Sequence, residues 1–271
     1  MSIWSHATKK DPCPICGKED WCTFGERAML CQRVESERPA ANGGWYHHYE
    51  KSNLRVTNLP KPKPAPAPLQ AATLMSQMAV VGLDSLAQSL GITAQSLEWL
   101  GCAWSNQHRA WAFPMCDGHG LPIGIRLRAD SGQKWAVTGS RQGIFMPKKC
   151  NLQVTKIAYL PEGPTDTAAL LSMGLFAIGR PNNLGGGEQI AQALKHFGIG
   201  RVVVVADNDE IKQGGKRPGM DGAVKLKKLL KLPSVIWCPP MPIKDVREFY
   251  RKGGTRQMIE NEIKNKVWTR L

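Results

Sequence analysis

From about residue 156 onward, short apolar runs alternate with amphipathic stretches. Ile157–Leu160 is apolar throughout and reads as a buried strand. Residues 166–173 carry helical spacing and stop at Gly174. Residues 175–178 predict a second strand, 187–197 a helix stopped by Gly198, and 201–206 a third strand. A helix over 219–230 and a strand over Ser234–Trp237 complete the series. This βαβαβαβ order predicts a parallel sheet with helices on both faces. Residues 71–100 carry helical patterning instead, with Gly91 as a stop and Thr93 as N-cap of a helix over 94–100. The pattern then changes to short strands and turns. Residues 110–115 are strand-like, 117–120 form a turn, 122–128 alternate apolar and basic, and 133–137 are a further strand. Together they predict a small antiparallel sheet with one basic face. Two short basic helices are expected over 245–251 and 255–266.

Residues 1–58 show little helical periodicity and contain four cysteines. They are followed by Leu59-Pro60-Lys61-Pro62-Lys63-Pro64-Ala65-Pro66-Ala67-Pro68. Five prolines in nine positions exclude helix and central strand and favour a polyproline II spacer. At ~3.1 Å per residue, ten such residues hold two modules roughly 30 Å apart. The expected organisation is a metal-binding module at 1–58, a Pro-rich linker at 59–70, a helical and antiparallel subdomain at 71–155, a parallel α/β domain at 156–243 and basic helices at 244–271. No apolar run of 18 residues occurs, so no transmembrane helix is expected. Met1–His6 lacks the apolar core of a signal peptide, and a cytoplasmic location is expected.

The net charge of +14 is unevenly spread. Residues 212–271 hold fifteen Lys/Arg against five Asp/Glu, ten of the fourteen net charges, whereas residues 1–60 hold eight against seven. A basic C-terminal quarter fits a polyanion, nucleic acid being the commonest. Of the eight cysteines, Cys13, Cys16, Cys22 and Cys31 fall within nineteen residues. Cys13-Pro14-Ile15-Cys16 is a tight knuckle that aims two thiolates at one ion. Four thiolates select tetrahedral Zn²⁺, and a segment this small takes its stability from the metal. A set in which His47 or His48 replaces one cysteine stays open at this point. Cys102, Cys116, Cys150 and Cys238 are scattered and read as buried thiols.

Two acidic segments follow strand-like runs. Glu162-Gly163-Pro164-Thr165-Asp166 comes after the first, and Asp207-Asn208-Asp209 after the third. Both deliver carboxylates to the carboxyl edge of a sheet, where open α/β proteins bind ligands. Clustered carboxylates repel unless a cation lies between them, which points to Mg²⁺ or Mn²⁺. Gly163 permits a sharp turn, and Asp166 is placed as a helix N-cap. Asp207 and Asp209, two apart in extended chain, project to one side. Glu162, Asp207 and Asp209 are therefore the candidate catalytic metal ligands. Two ions held there would activate a 3′-hydroxyl and stabilise a leaving pyrophosphate.

Glu162-Gly163-x-x-Asp166 followed by Asp207-x-Asp209 resembles the Toprim domain, over about residues 156–237. That domain occurs in DnaG-type primases, type IA and II topoisomerases, small nucleases and RecR-type recombination mediators. The resemblance implies that Glu162, Asp207 and Asp209 carry the metals. Asp166 matches in a more structural role beside the cofactor-binding residues. Gly219-Met220-Asp221-Gly222-Ala223 is similar to the helix start after the aspartate pair in primases, and Lys244-Asp245 to their late Lys-Asp element. Trp111–Met115, the turn at 117–120 and Ile123–Arg128 resemble the small subdomain that precedes Toprim in DnaG-type primases. The resemblance then implies that Arg126, Arg128 and Lys134 line the template groove and meet incoming phosphates, although a solvated strand face is the plain alternative. The zinc module on a linker is the primase layout, and such modules help choose the template site. The cysteine spacing is tighter than in the usual primase ribbon and is similar to the compact modules of phage- and plasmid-borne primases, so a mobile-element origin is expected.

The resulting expectation is an α/β, Toprim-like enzyme preceded by a small α+β subdomain and a zinc module. It would be a DNA primase that makes short RNA primers on single-stranded DNA from nucleoside triphosphates. Trp45, Tyr46 or Trp135 would be candidates to stack on bases. The chain has no P-loop, so unwinding is expected from a separate replicative helicase. The alternatives are a Toprim nuclease and a non-catalytic recombination mediator that binds single-stranded DNA.

Overall fold

The computed structural model describes residues 4–25, 28–40, 43–48, 70–148, 156–183, 185–210 and 217–269. Residues 59–69 of the Pro-rich segment, and Cys150, lie outside these. The chain divides into two compact units, Met1–Ala67 and Pro68–Leu271.

The first unit is a four-stranded antiparallel sheet in chain order: β1 Ser5–His6, β2 Thr23–Phe24, β3 Ala28–Cys31 and β4 Trp45–His48. Its small core is Ala7, Phe24 and Met29 around Cys13, Cys22 and Cys31. Few apolar groups contribute, so this unit depends on its sulfurs.

The second unit opens with three helices, α1 Ala71–Ser76, α2 Leu83–Leu90 and α3 Ala94–Trp99. Gly91 ends α2 in the left-handed region at φ 68°, and the Thr93 side chain accepts from the Ser96 amide to start α3, as expected. An antiparallel sheet follows in order β5 Ala103–Ser105, β6 Ala110–Cys116, β7 Pro122–Arg128 and β8 Lys134–Ala136. On β7, Ile125 and Leu127 are fully buried, whereas Arg126 and Arg128 share the opposite face.

A three-stranded parallel sheet lies next in sequence, with spatial order β11 (Ser234–Trp237), β10 (Arg201–Val205), β9 (Ile157–Leu160). Side chains alternate across it. Val203, Val205, Tyr159, Val235 and Trp237 join one core with α2, α3, α4 (Gly163–Ser172), α7 (Val246–Arg251) and α8 (Arg256–Lys264). Val202, Val204, Ala158 and Leu160 join the other with α5 (Gly187–His196) and α6 (Pro218–Leu230). Both faces are covered, which is why these strands read as continuous apolar runs. Trp237, fully buried, donates through Nε1 to Glu262 Oε2 at 2.8 Å and ties α8 to the sheet.

The strand expected over 175–178 is not a regular strand. Ala177 and Arg180 form isolated parallel bridges to Tyr159 and Glu162. The amides of Tyr159 and Gly163 donate to Phe176 and Arg180, at 2.9 and 2.8 Å. Pro161, midway between them, has no N–H to give, so the ladder skips a rung there. On the other side, Phe145 and Gly179 exchange both backbone hydrogen bonds, and so do Cys116 and Ile144. Residues 144–145 and 175–180 thus join the two sheets of this unit by backbone pairing.

Helix α6 packs closely on the loop at 181–183. A Cβ added to Gly222 would lie 2.3 Å from the Asn183 carbonyl oxygen, with nothing flexible to give way. Gly222→Ala should therefore lower the unfolding free energy by about 1–3 kcal/mol in urea titrations. Gly200→Ala, whose added Cβ meets nothing within 4 Å, should change it little.

Candidate functional site

Cys13, Cys16, Cys22 and Cys31 come together with all four sulfurs within 4.8 Å of one another. Cys16 Sγ is 3.7 Å and Cys31 Sγ 4.0 Å from Cys22 Sγ. Four thiolates around a tetrahedral zinc at 2.3 Å stand about 3.8 Å apart, so the donor set fits that ion. Amides of Gln32 and Val34 donate to the Cys22 and Cys31 sulfurs at 3.4 and 3.3 Å, and Arg33 Nη1 lies 3.9 and 3.8 Å from the Cys16 and Cys22 sulfurs. Such donors hold thiolate charge in place. The cluster is made of cysteines alone. His47 Nε2 donates to the Val34 carbonyl at 3.0 Å, and His48 Nε2 accepts from Arg38 at 2.8 Å. Without a metal, hydrogen bonds with Cys13 and Cys31, and burial, push the Cys22 thiol far up. A bound cation inverts that preference and deprotonates the ligands.

At the carboxyl edge of the parallel sheet, β9 is followed by Pro161-Glu162 and β10 by Ala206-Asp207. Gly163, at φ 77°, lets the chain turn at once from strand into α4. The helix therefore starts at Gly163, with Glu162 as N-cap residue and Pro164 in the first turn, three residues before the expected start. Asp166 is consequently not the N-cap. It lies buried in the first turn, where its Oδ1 accepts from the Arg247 amide at 3.1 Å.

Asp207 and Asp209 take different surroundings. Asp207 Oδ1 is buried with no hydrogen-bond partner. Asp209 Oδ2 accepts from the Gly219 amide at 2.8 Å, at the start of α6. Gly219 is required there, because a Cβ would meet the Asp207 carbonyl oxygen at 2.8 Å and Asp209 Oδ2 at 3.0 Å. Asn208, between them, donates to the carbonyls of Pro239 and Ile243 at 2.6 and 2.7 Å and accepts from Cys238 Sγ at 2.8 Å. Cys238 is thus only half-buried, while Cys102 and Cys116 are buried as expected. Among the described residues only the cysteines bring three or more metal-ligating atoms within 4.8 Å of one another; the carboxylates stand more widely as a set.

They nonetheless share a field. Burial pushes Asp207 up to about 8, and the charges of Asp166, Glu162, Asp245 and Asp209 add to it. Burial, then Asp245, pushes Asp166 up to about 7 against the pull of Arg247 and Lys134. Glu162 is raised by burial and held back by Arg180. An orphaned carboxylate oxygen amid four other acids fits a divalent cation, and the hard oxygen donors fit Mg²⁺ or Mn²⁺.

The basic face opposes this group. Arg128 pairs with Lys134 across β7 and β8, and Arg126 lies two residues away on the same face. Burial lowers Arg126, whose Nε has no partner. Arg128 and Lys134 are lowered by desolvation first and then by like charge, from Arg247 and Arg128 respectively; Asp166 pulls both the other way. Lys134 is exposed by surface area, and its crowded ammonium feels the effect all the same. The cations and the carboxylates predicted from sequence are therefore in one electrostatic neighbourhood. Two residues were not anticipated. Arg247, in the first turn of α7, binds Asp166 through its amide and repels Arg128. Arg180, 1% exposed, lies under the acids. The available signal for Arg180 was an arginine two residues after the apolar run at 175–178.

No protein-family model matches the chain, and no curated protein does. Solved structures do match. The primase fragment of the bacteriophage T7 primase-helicase protein aligns over 95% of this chain and 99% of its own, at 15% identity and a TM-score of 0.50. A DnaG primase catalytic domain bound to single-stranded DNA aligns over 73% and 78%, at 14% identity and 0.54. The zinc-binding and RNA polymerase domains of Aquifex aeolicus primase align over 70% and 58%, at 16% identity and 0.55. At such identities the likeness is one of fold. The chain has the mixed α/β fold of DNA primase catalytic cores, with a cysteine cluster suited to a structural zinc in its N-terminal unit.

Cys22→Ser should reduce bound zinc, measured by mass spectrometry, from about one per chain toward none and open residues 1–67 to protease. For the acids the sign is set by their raised values. Between about pH 4, where the unfolded carboxylate titrates, and about pH 8, the folded protein holds more protons than the unfolded chain. Stability without added Mg²⁺ should fall as pH rises through that window. Asp207→Asn should raise the melting temperature at about pH 8 and flatten the pH dependence.

Proposed function

We propose that the protein is a DNA primase, which joins nucleoside triphosphates into short RNA primers on single-stranded DNA. The observation that carries this reading is the opposition of Glu162, Asp207 and Asp209 to Arg126, Arg128 and Lys134 on a primase-core fold. Glu162, Asp207 and Asp209 would hold Mg²⁺ or Mn²⁺, with Asp166 fixing α7 beside them through the Arg247 amide. When bound, the ions supply activation of the 3′-hydroxyl and stabilisation of the leaving pyrophosphate.

The protein's own groups do the rest. Arg126, Arg128 and Lys134 would take template and triphosphate oxygens, and arginine is suited to this by its fixed fork of donors. Asn208 and Gly219 hold the Asp207–Asp209 turn against α6 and the 239–243 loop, so the carboxylates are placed before substrate arrives. The zinc-bearing unit would help to select the template site, and a separate helicase would supply unwound DNA. Among the described residues no helix is long and apolar enough to cross a membrane.

Incubation with labelled nucleoside triphosphates, Mg²⁺ or Mn²⁺ and single-stranded DNA should yield short template-dependent RNA. Asp207→Ala should lower the yield by at least about a hundredfold. Cleavage of the DNA without synthesis would replace this reading with a nuclease, and binding with neither would replace it with a recombination-type binding protein. The logarithm of DNA affinity should fall with the logarithm of salt, and each of Arg128→Ala and Lys134→Ala should reduce that slope by about 0.7.

A further inference from the structure

Arg180 is a charged side chain with almost no exposed surface, only 1%. It follows the irregular segment that runs beside β9, and its backbone is bound to the Glu162 turn. The Gly163 amide donates to its carbonyl and its own amide donates to Pro161, both at 2.8 Å. Its side chain reaches the other acidic segment. Nη2 donates to the Val205 carbonyl at 2.8 Å, two residues before Asp207, and Nη1 to the Asn183 carbonyl at 3.4 Å. Asn183 in turn donates to the Pro218 carbonyl at 3.4 Å, where α6 begins. Nε has no partner. Arg180 thus ties the Glu162 turn, through its backbone, to Val205 and Asn183, through its guanidinium, whose acceptors are neutral carbonyls.

Neutral acceptors do not balance a buried guanidinium, because removing the charge from water costs several kcal/mol. The compensating charge comes from Glu162, and from Asp207 once it is ionised, both of which act on it. Neither forms a contact ion pair with it among the described residues. The charge is therefore set back from the carboxylates and offsets them at a distance, leaving Asp207 Oδ1 free.

We propose that Arg180 is the resident counter-charge of the acidic site: it aligns the two strand ends that carry Glu162 and Asp207, and it competes electrostatically with the divalent ion they take up. This rests on the metal-binding reading of those residues. Arg180 is a positioning residue and does not touch substrate. Its distinguishing consequence is that neutralising it tightens metal binding, whereas loss of a purely structural arginine leaves binding unchanged or weaker.

The test is Mn²⁺ titration of the zinc-loaded full chain by calorimetry, without nucleotide or DNA, alongside melting temperatures at about pH 8. Arg180→Met should bind Mn²⁺ roughly tenfold more tightly, as removal of one nearby positive charge requires. It should melt lower without Mn²⁺ and gain more from Mn²⁺ than the parent. Arg180→Lys, which keeps the charge, should retain the parental affinity. If Arg180→Met does not fold, Arg180→Gln, neutral but still able to donate to Val205, carries the same expectation. Unchanged or weakened Mn²⁺ binding in the neutral variant overturns the inference, as does equal tightening in Arg180→Lys. Failure of the metal reading is distinguishable: the parent would then show no Mn²⁺ binding that Asp207→Asn removes, and the inference would fall with it.

Discussion

The parallel register between β9 and β10 is the constraint on which the rest of the site depends. Leu160 stands opposite Val204, so the chain leaves the sheet at Glu162 on one strand and at Asp207 on the next, at nearly the same level. A slip of one residue would send every side chain of the strand to the opposite face and put Ala206 or Asn208 where Asp207 stands. The two apolar cores prevent that slip, because the odd- and even-numbered valines of β10 belong to different cores. The register is thus set by hydrophobic burial, and the acidic edge inherits its geometry from it.

The same edge works against its own chemistry. Five acids act on one another there, and the cations that face them come from three separate places: the β7–β8 face, the start of α7 and the segment ending at Arg180. Four of the five acids follow the neighbouring strands β9 and β10, and only Asp245 comes from the start of α7, whereas the positive charge is brought in from outside that sheet edge. In the proposed primase that division is put to use: the acids would keep a small ion, and the bases would meet a long, mobile polyanion.

Much of this was legible in the chain. Strands buried on both faces must be apolar, so Ile157–Leu160 and residues 202–205 stand out without any alternation to decode. The cysteine knuckle and the aspartate pair were visible because their chemistry is local in sequence. What escaped is what depends on distant partners. Residues 175–180 have the composition of a strand, but their ladder is broken by Pro161, which lies in another segment. Asp166 looked like a cap because the φ of 77° at Gly163, which lets the helix begin earlier, is not written in residue type alone. Arg180 and Arg247 owe their importance to what lies across the fold from them.

The pairing of residues 144–145 with Cys116 on one side and Gly179 on the other has an architectural consequence. It makes the basic sheet and the acidic sheet successive parts of one continuous backbone frame. Loops on the rim of that frame can lengthen without disturbing it, but an insertion at Ile144-Phe145 would put one sheet out of step with the other. The distance between cation and carboxylate is therefore built into main-chain geometry, and drift in surface residues leaves it untouched.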